Sequence, residues 1–474
     1  MGTDDVTLRG RRLSLWLPTG VLAIVMGAAT GCSRPRASTE RVDFRPERVP
    51  DDDPSPAAEL GFLGVPESRS SPGSRTIELA VLRLPSTSER PGPPIVYLSG
   101  GPGSSAIDAL SGPRREAIEA LRAAGDVVLL DQRGTGRSRP RLDCPASGGL
   151  PLDRPSSRPD LVANFRARAA ACAEYWRGQG AELGGYRVAE IADDVEALRV
   201  ALGAPRVVSW GVSFGSHVAL AALQRHPESF ARLILAGVVG PDDVWPLPSL
   251  TDSAFAAIDA AAVGGGGGGL AKRIATLARA LDSVPRTGRT RDGRAVTIGG
   301  FDLRHAIAGR VSTPTALAEI TRMIRQAERG ELDEVATLVE RVRADGSIGS
   351  AMTYLTLCGA PPSPVRRQTI EEETAGSPFG DVLSTAGAGC DAWGVAAPDA
   401  GTLELPKSSV PVLAISGSAD VTTPPANALR VLRTLVNGRH LLVEGARHGT
   451  DLVAGPGVIA AMLAFLAEGQ PPPR

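Results

Sequence analysis

Aromatic side chains are scarce in this 474-residue chain, where Phe, Tyr and Trp together make up 4%. So few flat rings argue against a base-stacking platform for single-stranded nucleic acid. An excess of either charge is also missing. Lys and Arg number 51 against 52 Asp and Glu, and no basic run reads as a phosphate-binding face. No nucleic-acid partner is expected. The apolar stretch Leu13–Ala29 falls short of the roughly 20 residues a membrane span needs, and Pro18 and Gly20 interrupt it. Histidine and cysteine number only five each. What is plentiful is apolar side chain, 42% against 22% charged. Those are globular proportions, in a chain long enough for a large core and a second subdomain.

The first residues read as an address. Arg9, Arg11 and Arg12 precede the apolar stretch, which ends in Ala28-Ala29-Thr30-Gly31-Cys32. A basic start, a short apolar run and small residues before a cut describe a secretory signal, here residues 1–31. The cysteine that follows resembles a bacterial lipobox, although Ala29 stands where leucine is usual. That resemblance implies lipidation at Cys32 and an envelope lipoprotein, whose only membrane contact is the N-terminal lipid. Simple secretion to the periplasm or beyond, or an uncleaved anchor, are the alternatives. Residues 32–59 are rich in Pro, Asp, Arg and Ser and read as a flexible tether. Four cysteines then remain: Cys144, Cys172, Cys358 and Cys390. In an exported chain they suggest two disulfides. Three pairings are open, and the sequence-local one is the simplest.

From residue 60 onward, short apolar runs alternate with helical patterns. IELAVLRL (77–84) alternates as a strand, and IVYL (95–98), VVLL (127–130) and VVSW (207–210) are continuous apolar runs. Such runs suit strands covered on both faces, as in a parallel sheet. Val188–Leu202 and Ser216–Arg225 carry helical spacing. Strand alternating with helix predicts an α/β fold with a mostly parallel central sheet flanked by helices. The pattern changes after Pro241. Residues 241–408 are mainly helical and loop-like, with a glycine run at 264–269 that must be a loop. Strand signals restart at PVLAI (411–415), and a strand beginning at His440 and a helix over Gly457–Leu466 follow. The expected organisation is a core in two parts, 60–240 and 409–470, with a helical lid at 241–408 inserted between them.

Gly211-Val-Ser213-Phe-Gly215 follows a strand and opens a helix. That context places Ser213 on a tight turn that exposes its hydroxyl at the C-terminal edge of the sheet. A serine hydroxyl is a weak nucleophile and needs a base held by a third group. Of the five histidines, His217 lies on the helix leading away, His226 at a helix end, His305 in the lid and His440 at a strand start. His448, in Gly-Ala-Arg-His-Gly (445–449), alone falls in a loop after the last strand. Asp420 follows PVLAI at the position for the orienting acid; capping the next helix is its other possible role. Glu444 and Asp451 are nearer His448 in sequence, but such local pairs rarely have the required geometry. Two N–H donors are needed for the oxyanion. Ser99-Gly-Gly-Pro-Gly103 follows the strand IVYL, so Gly101 and Phe214 are the candidates.

At this point the chain resembles a known group, the secreted bacterial proline iminopeptidase and tripeptidyl aminopeptidase (TAP-like) members of the α/β-hydrolase superfamily. The carrying strings are YLSGGPG (97–103), LLDQRGTGRSRP (129–140), IADDVEALRVALG (191–203), GVSFGS (211–216), SGSADVTTPP (416–425) and GARHG (445–449). The resemblance implies a serine peptidase, needing neither metal nor cofactor, that hydrolyses peptide bonds near a free N-terminus. It implies that Asp131, Arg133 and Ser138 are structural. It also implies the local disulfide pairing, 144 with 172 and 358 with 390. The chain departs from the group at Ser99, where many relatives carry His. It departs at Ala236, where they carry Asp, and at Ala360, where they carry an acid. An aminopeptidase needs carboxylates for the substrate's ammonium, and Glu371, Glu372 and Glu373 in the lid are the substitutes on offer. The expected partner is a peptide or small acyl substrate. An esterase with the same machinery is the second reading, and a lipid-tethered binding protein without catalysis a distant third.

Overall fold

The computed structural model describes residues 42–47, 58–145, 148–250, 269–308, 316–344, 349–377, 386–395 and 403–468, with isolated positions between. The leader (1–31), Cys32 and glycines 264–268 lie outside the described residues.

The strands are β1 (Arg45–Glu47), β2 (Ala58–Pro66), β3 (Thr76–Leu84), β4 (Ile95–Leu98), β5 (Val127–Leu130), β6 (Val207–Val212) and β7 (Phe230–Ala236). After them come β8 (Arg286–Arg289), β9 (Ala295–Ile298), β10 (Val412–Gly417) and β11 (Gly438–Val443). Among the described residues nine of them make one sheet, in the order β1-β2-β3-β5-β4-β6-β7-β10-β11. From β5 to β11 every neighbouring pair is parallel, and β1, β2 and β3 add an antiparallel wing. The continuous apolar runs are the central strands: every residue of β4, β5, β6 and β10 is buried. Alternate residues feed opposite faces. Val96 and Leu98 join the cluster under the helices Val188–Ala201 and Phe214–Arg225, while Ile95 and Tyr97 pack with Leu121, Met462 and Phe465. The α/β architecture with a mostly parallel sheet is thus as the alternating pattern implied.

Several local expectations change. The tether (32–59) is not without structure throughout, since β1 pairs antiparallel with the start of β2, Arg45 opposite Leu60 and Glu47 opposite Ala58. An outer strand offers unpaired N–H and C=O groups that a short polar segment satisfies through its backbone alone. The strand expected to begin at His440 starts at Gly438 and is half exposed, because β11 is the sheet's edge. Within the region expected to be mainly helical, Ala316–Glu328 and Asp333–Ala344 are separate helices, parted around Gly330, whose φ is +92°.

The inserted region carries its own apolar cluster. Ile274, Leu281, Leu303, Ile307, Ile324 and Val335 come from its helices, and Val296 and Ile298 from a β8–β9 hairpin that sequence patterning did not reveal. Leu161 also enters this cluster. It lies on the helix Arg158–Gly178, whose Ala169 and Ala173 pack in the core under the sheet. Nearby, Thr297 N–H donates to the Leu152 carbonyl (2.8 Å) and Arg343 Nη1 to the Pro151 carbonyl (3.1 Å). The boundary drawn at 241 therefore gives the cap too little, because residues near 150–161 pack with it. A 21-residue helix is about 30 Å long and passes from one cluster to the other. Cys144 bonds Cys172 and Cys358 bonds Cys390, the local pairing.

Candidate active site

Four loops leave the C-terminal ends of β4, β6, β10 and β11 on the same edge of the sheet. Register places Leu98 opposite Gly211, Val212 opposite Ala236, and Gly417 opposite Val443. Such an edge is where open α/β sheets gather ligands and reacting groups.

Ser213 follows β6 and stands at the N-cap of the helix Phe214–Arg225 with φ +55° and ψ −124°. Among the described residues it is the sole non-glycine at positive φ. The surrounding chain holds this strained conformation. Ser213 N–H donates to the Ala236 carbonyl (2.8 Å), and its own carbonyl accepts from Ser216 N–H (2.8 Å) and Ser216 Oγ (2.6 Å). The flanking glycines are required by close approach. A Cβ on Gly211 would collide with the Gly215 carbonyl, and one on Gly215 with the Leu98 carbonyl.

The structure brings Ser213, His448 and Asp420 onto one line of hydrogen bonds. Ser213 Oγ lies 3.0 Å from His448 Nε2, and His448 Nδ1 lies 2.9 Å from Asp420 Oδ2. With a proton on Nδ1 donated to the carboxylate, Nε2 accepts from the serine hydroxyl. Asp420 is 3% exposed and fully partnered. Its Oδ1 accepts from the N–H groups of Thr422 and Thr423, both at 2.9 Å. Its Oδ2 also accepts from Thr423 Oγ1 at 2.6 Å. Thr423 stands inside the SGSADVTTPP string, where no sequence pattern marks its hydroxyl for a role.

The loop after β4 runs beside Ser213, so close that a Cβ at Gly100 would sit 2.8 Å from Ser213 Cβ. Gly101 N–H makes no backbone hydrogen bond among the described residues. Phe214 begins its helix, where backbone N–H groups have no intrahelical acceptor. Neither expected donor thus has a backbone acceptor among the described residues. Asp131 holds the continuation of this loop. Its Oδ1 accepts from Ser105 Oγ (2.8 Å), Ala106 N–H (2.6 Å) and Ile107 N–H (3.1 Å). Burial raises the Asp131 carboxyl above the ordinary range, and these donors oppose it. Arg133 makes a two-pronged pair with Asp194, both contacts at 2.7 Å, and Ser138 Oγ donates to the Asp131 carbonyl (2.7 Å).

The remaining histidines stand elsewhere. His217 is buried against Phe214, with rings 5.3 Å apart, and burial depresses it to about 4. His226 pairs with Asp193 at 2.7 Å. The three lid glutamates make no hydrogen bond to Ser213, His448 or Asp420 among the described residues. They lie on the helix Pro364–Gly376, where Glu371 and Glu372 are exposed. Glu372 accepts from Gln368 (2.7 Å), and the half-buried Glu373 accepts from Ser249 N–H (3.0 Å). A cavity of about 620 Å³ opens in the cap between Arg289, Ile320, Asp333 and Arg341, and none of the Ser213, Asp420 and His448 side chains lines it. Among the described residues no three His, Cys, Asp or Glu side chains cluster as metal ligands would.

Comparison with known proteins accords with this geometry. Residues 93–262 match the α/β-hydrolase fold family, and residues 375–474 match the family described as TAP-like protein. Most of the cap helices fall between the two. The serine protease Hip1 of Mycobacterium tuberculosis is 25% identical over 249 residues, 49% of this chain and 47% of that one. The tripeptidyl aminopeptidase of Streptomyces lividans is 29% identical over 198 residues, 40% of this chain and 37% of the relative. A probable proline iminopeptidase of Streptomyces coelicolor is 36% identical over 147 residues, 31% of this chain and 33% of the relative. The matched stretch spans less than half the length of each of these relatives. The strand order and the match over residues 93–262 give this chain the α/β-hydrolase fold, and residues 375–474 are similar to the TAP-like family.

Proposed function

We propose that this protein is a serine hydrolase that works through an acyl-enzyme and removes residues or short peptides from the free N-terminus of peptides. The observation that carries the reading is the unbroken line from Ser213 Oγ through His448 to Asp420, at 3.0 and 2.9 Å. In the first half-reaction Ser213 Oγ attacks the scissile carbonyl carbon and its proton passes to His448 Nε2. Asp420 stabilises the imidazolium as it forms. The developing oxyanion is met by the N–H groups of Gly101 and Phe214. His448 then returns the proton to the leaving amine as the C–N bond breaks. In the second half a water repeats the attack on the ester, its proton going to His448 and then to Ser213 Oγ. The peptidase names of the sequence relatives support the choice of an amide substrate. The two disulfides fit an exported protein, and lipidation at Cys32 belongs to the same reading.

A second reading, an esterase or other acyl hydrolase on the same machinery, is favoured by one feature. Ala360 stands where the resemblance implies an acid, while Glu371 and Glu372 are exposed and Glu373 is already engaged with Ser249. The test is a panel of free-amine and N-blocked aminoacyl and tripeptidyl nitroanilides beside acyl nitrophenyl esters, with Ser213→Ala and His448→Ala as controls. Cleavage of free-amine anilides alone is the expected outcome, abolished in both variants. Turnover of esters alone would replace the peptidase with an esterase. Full activity in Ser213→Ala would remove the serine mechanism altogether.

A further inference from the structure

We infer that Thr423 is a positioning residue of the reacting centre, a fourth group that fixes both the Asp420 carboxylate and the His448 ring. This rests on the serine-hydrolase reading. Thr423 Oγ1 donates to Asp420 Oδ2 at 2.6 Å, the same oxygen that accepts from His448 Nδ1 at 2.9 Å. The same hydroxyl lies 3.0 Å from His448 Nδ1. The Nδ1 proton is therefore shared between two acceptors, a carboxylate oxygen and a hydroxyl oxygen that is itself tied to that carboxylate.

Three features make this a built arrangement. Thr423 is 2% exposed, so its hydroxyl has no water to exchange with. Its N–H donates to the other carboxylate oxygen, Oδ1, at 2.9 Å. One residue thus grips both oxygens of Asp420 and sets the carboxylate plane. Finally, the end of β7 closes over the pair. A Cβ at Gly237 would lie 3.0 Å from Thr423 Oγ1 and 3.2 Å from His448 Cε1.

The physical consequence is specific. A carboxylate with one hydrogen bond to an imidazole can rotate about its Cβ–Cγ bond and carry the ring with it. Holding both oxygens removes that freedom, and the second acceptor on Nδ1–H keeps the ring from tilting away from Ser213. The hydroxyl touches no substrate, so its loss falls on turnover rather than on binding. Deleting this hydrogen bond to a charged group lowers kcat by roughly tenfold or more.

The experiment pairs Thr423→Val, which removes the hydroxyl at near-constant volume, with Thr423→Ser, which restores it. Both are made in the native and in the Asp420→Asn background. kcat and KM are measured on the anilide or ester the native protein turns over, and Ser213 is labelled with a fluorophosphonate. The expected result is a fall of at least tenfold in kcat for Thr423→Val with KM within about twofold. Recovery in Thr423→Ser and almost no added loss in Asp420→Asn complete the pattern, since groups acting through one another are not additive. Thr423→Ala takes the place of the valine variant if that one does not fold. Native kcat in Thr423→Val, or an undiminished loss in the Asp420→Asn background, overturns the inference. A native protein that neither turns over nor labels at Ser213 overturns the serine-hydrolase reading instead.

Discussion

At the scale of single residues, the active edge is set by side chains that are absent as much as by those present. Gly215 sits where β4 and the helix after Ser213 touch, and any Cβ would be driven into the Leu98 carbonyl and to within 2.9 Å of the Ser99 carbonyl. Both obstacles are backbone and cannot swing aside. Gly215→Ala is therefore expected to cost about 3 kcal/mol, at the upper end of the range for overpacking, and to displace the loop bearing Gly101. The matched control is Gly457→Ala, in the helix Pro456–Ala467 with nothing within 4 Å of its Cβ. There the helix preference of alanine makes the change neutral or slightly stabilising. Denaturation midpoints and turnover of the two variants check the contrast. Equal midpoints would mean that the approach of β4 to this turn is not as close as described.

At the scale of elements, the cap does more than cover the sheet. The helix Ala351–Cys358 is tied to the core by Ala351 N–H, which donates to the Leu142 carbonyl (2.7 Å), and by the Gly349 carbonyl, which accepts from Cys144 N–H (2.9 Å). From that helix Thr353 Oγ1 donates to the Pro102 carbonyl at 2.9 Å. Pro102 directly follows Gly101, the expected oxyanion donor. The cap thus holds the loop that carries the proposed oxyanion donor. Thr353→Val is expected to lower kcat about fivefold, the scale of one neutral hydrogen bond, with little change in KM. Steady-state kinetics decide it, and unchanged kcat would leave Thr353 a packing contact. A second tie joins the loop after β7 to the start of the cap helix Pro364–Gly376. Asp242 accepts from Ser363 N–H (2.8 Å) and Ser363 Oγ (2.7 Å), and Asp243 pairs with Arg366 and Arg430.

At the scale of the whole molecule, acid should weaken the fold through His217. Burial lowers this group from 6.5 to about 4 in the native protein. The unfolded chain takes up its proton first as pH falls, and the native state does not follow until near pH 4. Between those values the unfolded state binds more protons, so stability drops with falling pH, by up to about 3 kcal/mol from this group. Above pH 6.5 both states are neutral and the effect vanishes. His217→Leu should flatten this part of the pH dependence. Unfolding free energies from denaturant titrations at pH 7, 5.5 and 4.5 check it, and identical slopes in variant and native protein would refute it.

Much of the active edge was legible locally. Strand–turn–helix context around Ser213, the loop after the final strand for His448, and the loop after PVLAI for Asp420 each follow from neighbours in sequence. The backbone there leaves few choices. Continuous apolar runs likewise determined which strands are central, because only a strand covered on both faces tolerates them. Three things were decided by the tertiary structure. The polar segment Arg45–Glu47 became a strand because an open sheet edge pairs through backbone, to which composition is blind. The share of the helix Arg158–Gly178 between cap and core depended on which apolar faces met it. And Thr423, near Asp420 in sequence but 25 residues from His448, acquired its place only when β10 and β11 lay side by side. A hydroxyl carries no pattern of its own; what it bonds to is a matter of which loops the sheet brings together.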